Sequence, residues 1–196
     1  MQARHTTFAL SCLLLAAPVL AQDPPKMSPE ELAAMQAYQQ AGTPGPQHAG
    51  LALTAGEYTV TIKSWNAPGA PPTESTGSAS RKVLLGGRVV SEEMSSSMYG
   101  QPYTGFGLTG YDNVSGKYWS TWNDSMNTGL TVAEGSCTAQ ATCSFIGHWN
   151  DAVTKQQASA RMELRWTSPA VEVFEMFGAG PDGKEMKMME ITYTRR

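Results

Sequence analysis

Gly56-Glu57-Tyr58-Thr59-Val60-Thr61-Ile62-Lys63 alternates strictly: Tyr58, Val60 and Ile62 fall on one face, Thr59, Thr61 and Lys63 on the other. A period of two describes an antiparallel strand with one face buried and one in water. Arg161-Met162-Glu163-Leu164-Arg165-Trp166 repeats the pattern near the other end of the chain. Between and around these segments, turn chemistry cuts the sequence into short pieces. The cuts are Pro71-Pro72, Gly86-Gly87, Gly100-Gln101-Pro102, Asp112 to Gly116, Met126 to Gly129, Cys137 to Cys143, Asn150 to Lys155, Ser168-Pro169 and Gly178 to Gly183. They imply about ten strands joined by hairpin-length connections. Such a row of strands has two edges to hide, and closure removes both. Gly77, Gly105, Gly107 and Gly110 inside strands suit the bends that closure needs. The expected fold is therefore mainly β, an antiparallel up-and-down barrel over residues 51–196, with a sandwich as the rival architecture.

Residues 22–50 read differently. Asp23-Pro24-Pro25 is a linker, and Ser28-Pro29-Glu30-Glu31 carries a helix start, with Ser28 as N-cap and Glu31 three residues on. Leu32, Met35 and Tyr38 make an apolar stripe that runs until Gly42, and Thr43-Pro44-Gly45-Pro46 stops the helix. Leu51 and Leu53 suggest a further helical turn. A helix this short is marginal alone, so it is expected to dock on the barrel or plug it.

The first 21 residues read as a secretory leader: Arg4 and His5, an apolar run from Phe8 to Leu15, and Val19-Leu20-Ala21 before a cleavage point. The apolar run is too short to span a bilayer. A lipid anchor on Cys12 is disfavoured because Leu13, Leu14 and Leu15 continue the apolar run past it. Cleavage after Ala21 would deliver a periplasmic or secreted protein with no membrane span. Cys12 would leave with the leader, so two of the three cysteines remain. Cys137 and Cys143 flank a turn-like Thr138-Ala139-Gln140-Ala141-Thr142, and in an oxidising compartment they are expected to form a disulfide. With 14 Lys and Arg against 17 Asp and Glu, the chain lacks the basic surplus that nucleic acid or anionic lipid requires.

Several motifs have dull readings that win. Gly105-Phe106-Gly107-Leu108-Thr109-Gly110 matches the dinucleotide fingerprint, but a turn follows it where the fingerprint needs a helix. His148 falls on a strand opposite Phe145 and Trp149, a place for a surface group rather than a metal or haem ligand. No metal or cofactor is expected. Met186, Met188 and Met189 cluster with Met176 and Met162; thioethers bind Cu(I), yet an adaptable apolar lining is the simpler reading. Asn113-Val114-Ser115 and Asn123-Asp124-Ser125 form glycosylation sequons only on paper. Polar groups inside strands carry more information. Tyr118, Ser120, Trp122 and Asp124 share one face, and Glu92 and Glu175 sit mid-strand. Inward-pointing charges need partners, and a set of aromatic and acidic residues is how a barrel makes a polar-headed pocket. The candidate ligand-binding residues are Tyr111, Trp122, Asp124, Glu92, Glu175 and Met176.

Three stretches closely resemble the bacterial "domain of unknown function" family numbered 1579. They are Ala41-Gly42-Thr43-Pro44-Gly45-Pro46-Gln47-His48; Gly110-Tyr111-Asp112-Asn113 continuing to Ser120-Thr121-Trp122-Asn123-Asp124-Ser125-Met126; and Phe174-Glu175-Met176 with Gly180 to Glu185 and Met189 to Arg195. The resemblance implies a bacterial, periplasmic protein and assigns no activity. Gly56-Glu57-Tyr58 also resembles the Gly-x-Trp entry of calycin barrels, the lipocalin and fatty-acid-binding folds, with Tyr58 in place of Trp. In those folds the aromatic packs under an Arg of the final strand, which implies that role for Arg195. The leading expectation is a non-enzymatic barrel that binds a small hydrophobic or amphipathic molecule. The alternatives are an isomerase or hydrolase using Asp124, Glu92 or Glu175 as base, and a structural protein whose helix docks on a partner.

Overall fold

A computed structural model describes residues 27–138 and 142–196. The expected leader, its expected cleavage point and the Asp23-Pro24-Pro25 linker lie outside the described residues. Two helices, α1 (Pro29–Gly42) and α2 (Pro46–Ala52), precede ten antiparallel strands. These are β1 (Gly56–Ser64), β2 (Thr73–Leu84), β3 (Val89–Met98), β4 (Gln101–Asp112), β5 (Lys117–Asp124), β6 (Thr131–Cys137), β7 (Thr142–Asn150), β8 (Gln157–Ser168), β9 (Val171–Ala179) and β10 (Glu185–Arg195). Each strand pairs with its neighbours in sequence, and β1 pairs with β10, so the sheet closes into a barrel without edges. The barrel expectation holds over the sandwich.

The alternation in β1 is realised as read: Tyr58, Val60 and Ile62 are buried, and Glu57, Thr59 and Thr61 are exposed. Together with Ala79, Met94, Tyr103, Ile191 and Tyr193 they form a buried cluster drawn only from β1–β4 and β10. The interior is thus filled on one side. No helix among the described residues is long and apolar enough to cross a membrane.

The helices meet the barrel at the end that carries the β2–β3, β4–β5 and β8–β9 turns. α1 begins with the capping box read from Ser28 and Glu31: Glu31 N–H donates to Ser28 Oγ, and Ser28 N–H donates to Glu31 Oε2 at 2.7 Å. Its apolar stripe, however, does not dock. α1 buries no residue, and Tyr38 is 81% exposed. What fixes α1 is its C-terminal end, where helices leave carbonyls unpaired. Asn113 Nδ2 donates to the carbonyls of Ala41 and Thr43 at 3.0 and 2.8 Å, and Arg88 donates to that of Gly42. α2 is the segment that packs, against β3, β4 and the turn Leu85–Gly87. His48 on α2 is buried; its Nδ1 accepts from Gly45 N–H at 3.0 Å, so Nε2 carries the proton and donates to Tyr111 O at 3.0 Å.

At the barrel seam Arg195 of β10 lies over the Tyr58 ring and donates to Tyr58 Oη at 3.0 Å and to the carbonyls of Leu53 and Ala55. Gly56 sits at φ +152°, and a Cβ there would come within 3.0 Å of the Arg195 guanidinium. Only glycine both adopts that backbone and leaves room for the arginine.

Candidate functional site

Near the helix end, the strands aim a charged cluster inward. Arg81 follows Ala79 on the inner face of β2 and is 9% exposed. Its Nη1 and Nη2 donate to the two oxygens of Glu172 at 2.8 Å each, and its Nε donates to Glu92 Oε2 at 2.6 Å. Glu172, at the start of β9, is fully buried. Glu92 Oε1 also accepts from Tyr193 Oη at 3.0 Å, and the Tyr58 and Tyr193 rings lie 5.0 and 4.5 Å from the guanidinium. Burial alone would lower the Arg81 pKa, but Glu92 and Glu172 outweigh it and hold the guanidinium charged. Bidentate pairing and satisfied lone pairs are what make such a buried network tolerable.

Beyond this cluster the interior is open. A cavity of about 480 Å³ runs between the buried half and the inner faces of β5–β9. Its apolar wall includes Phe145, Trp149, Met162, Leu164, Phe174 and Met176, and Leu51 and Thr54 reach it from the α2 end. On the opposite side stands a linked trio. Trp122 Nε1 donates to Tyr103 Oη at 2.9 Å, and that hydroxyl faces Asp124 Oδ2 at 3.5 Å. Burial is the main reason the Tyr103 phenol is pushed up to about 12, with Asp124 adding to it, so it stays a neutral hydroxyl. Asp124 Oδ1 accepts from Met126 N–H and Asn127, which orients the carboxylate.

The glycines of the fingerprint-like stretch explain how Trp122 lies flat. A Cβ on Gly105 would sit 2.1 Å from Trp122 Cζ2, and one on Gly107 would sit 2.6 Å from Trp122 Cε3. Gly110 does the same on the outer face for Trp119, at 2.4 Å. These residues seat indoles; no helix follows them to hold a pyrophosphate.

Of the residues singled out from sequence, Trp122, Asp124, Glu92 and Met176 line the cavity. Tyr111 and Glu175 do not line it. Tyr111 has the inward parity of β4, but it lies at the helix end, edge-on to His48 at 5.7 Å and to Tyr118 at 4.8 Å. Glu175 sits on the outer face of β9, because Phe174 and Met176 on either side of it point inward. There Arg165 and Lys187 pair with it. Burial works against its charge, but hydrogen bonds from Lys187 and Arg165 prevail and hold its pKa below the usual carboxylate value. Cys137 and Cys143 are register partners on β6 and β7 and form a disulfide. His148 is exposed on the outer face. Sequence reading missed Arg81, Glu172 and Tyr103. For Arg81 the signal was present: a charge standing on the apolar parity of Ala79 and Val83.

A closed ten-stranded antiparallel barrel with Arg195 over Tyr58 at its seam and an apolar internal cavity defines a calycin-like barrel. The chain belongs to the family described as protein of unknown function (DUF1579), whose model matches residues 43–195. No curated protein matches the sequence. Among solved structures it is similar to Rv2717c from M. tuberculosis, at 12% identity and a TM-score of 0.57, covering 79% of this chain and 99% of that one. It is also similar to the S-type phycobiliprotein lyase CPES from Guillardia theta, at 11% identity and a TM-score of 0.54, covering 81% and 96%. At these identities the likeness is one of fold.

Proposed function

We propose that this protein is a non-enzymatic binding module that holds a small hydrophobic or amphipathic molecule inside its barrel. The observation that carries the reading is the cavity of about 480 Å³, a size and lining suited to a small organic ligand. Adaptable methionines such as Met94, Met162 and Met176 suit an apolar guest of irregular shape. Two of the three carboxylates proposed as catalytic bases are already engaged by cations: Glu175 by Arg165 and Lys187 outside the barrel, and Glu92 by Arg81. The proposed compartment is the periplasm or the extracellular space, reached by the leader 1–21. The Cys137–Cys143 disulfide supports an oxidising location.

Native mass spectrometry of protein purified from its own source tests the reading. The expected result is a mass increment that denaturation releases. A barrel that is always empty, and that takes up no apolar fluorophore displaceable by lipophilic competitors, would refute it.

A further inference from the structure

Among the described residues four charged side chains line the cavity: the cation Arg81 and the carboxylates Glu92, Glu172 and Asp124. All three guanidinium nitrogens of Arg81 already donate to Glu92 and Glu172. An anionic guest would have to break a buried ion pair and then face the freed carboxylates, which is a heavy cost. The lining thus has no cation to spare and one carboxylate in excess even after the Arg81 cluster is set aside.

That carboxylate is Asp124. Its Oδ1 is taken by Met126 N–H and Asn127, while Oδ2 meets only the Tyr103 hydroxyl, at the long distance of 3.5 Å. Among the described residues no Lys, Arg or His pairs with it. A carboxylate oxygen accepts two hydrogen bonds, so Oδ2 retains acceptor capacity toward the cavity. Beside it Trp122 is pressed against Gly105 and Gly107 and lines the cavity, and an indole face attracts cations.

Resting on the binding function proposed above, we infer that the guest is an amphipathic amine: an apolar body in the Met- and aromatic-lined cavity, with its protonated nitrogen on Asp124 Oδ2 beside Trp122. Carboxylates of the fatty-acid kind are excluded by the saturated Arg81.

The test uses three probes with the same alkyl chain, decylamine, decanol and decanoate, titrated into the full-length exported protein by calorimetry at neutral pH. A charge-assisted hydrogen bond supports an expected order of amine over alcohol by at least about tenfold, with decanoate weakest. Asp124→Asn keeps an acceptor for Met126 N–H; within that variant decylamine should bind no more tightly than decanol. Added salt should weaken decylamine and not decanol. If decanol binds as tightly as decylamine, or if decanoate binds best, this inference falls while the binding module stands. If none of the three binds, both fall together.

Discussion

Replacing Arg81 by Met would remove the only cation that lines the cavity among the described residues while keeping most of the volume. Three donor contacts, two to Glu172 and one to Glu92, disappear at once, and so does the packing against the Tyr58 and Tyr193 rings. Glu172 is then left with 0% exposure and no counter-charge. Breaking a buried pair from one side costs about 3–5 kcal/mol, because the surviving charge is stranded rather than because the pair itself was strong. Urea unfolding followed by circular dichroism should therefore show Arg81→Met destabilised by that amount. Adding Glu172→Gln in the same chain should recover at least about 1 kcal/mol, since an amide is cheaper to bury than an unpaired carboxylate. Arg81→Lys should not rescue, because an ammonium cannot span both Glu172 oxygens and Glu92 as a planar fork does. A loss below about 1 kcal/mol for Arg81→Met, or no recovery in the double variant, would refute the reasoning: water would then be reaching Glu172.

Gly107→Ala should push the Trp122 indole off its strand into the cavity, shifting tryptophan fluorescence and lowering probe affinity; an unchanged spectrum and affinity would remove the seating role of the glycine. Tyr103→Phe should cost about 1 kcal/mol in unfolding experiments through the lost Trp122 bond, and a neutral result would mean that bond adds nothing. Asn113→Ala should release the C-terminal end of α1, seen as faster hydrogen exchange over residues 29–42 with little change in barrel unfolding. Glu175, with its folded pKa depressed, contributes stability that is present above the unfolded carboxylate value of about 4.3 and is lost as pH falls through the lower folded value. Glu175→Gln should flatten that acid limb of the stability profile, and an unaltered limb would count against the Arg165 and Lys187 pairing.

The barrel is legible in the sequence because its signals are local. Alternation in Tyr58-Val60-Ile62, nine turn clusters and the Ser28–Glu31 capping box each act within a few residues. The site is less legible because its contacts are distant: Arg81 and Glu172 lie 91 positions apart. Strand parity decides which carboxylate points inward, and on β9 Glu172 and Glu175 have opposite parity in a run with no clear alternation. A bulge between Lys187 and Met189 on β10 further upsets counting along the neighbouring strand. Tyr111 shows the complementary limit: parity names the face but not the depth, and the edge-on packing of His48 against it at the barrel end is a tertiary fact.

The β1–β10 seam has a consequence for how the chain is made. Seven register pairs join the first strand to the last, from Tyr58 with Arg195 to Ser64 with Met189. Until β10 is in place, β1 has a bare edge and Tyr58 lacks both Tyr193 and Arg195. A chain that lacks β10 therefore cannot close, and it keeps an open sheet with an adhesive rim. β10 is thus the closing piece of the sheet, and products that lack it should be prone to aggregation and recognised by quality-control proteases.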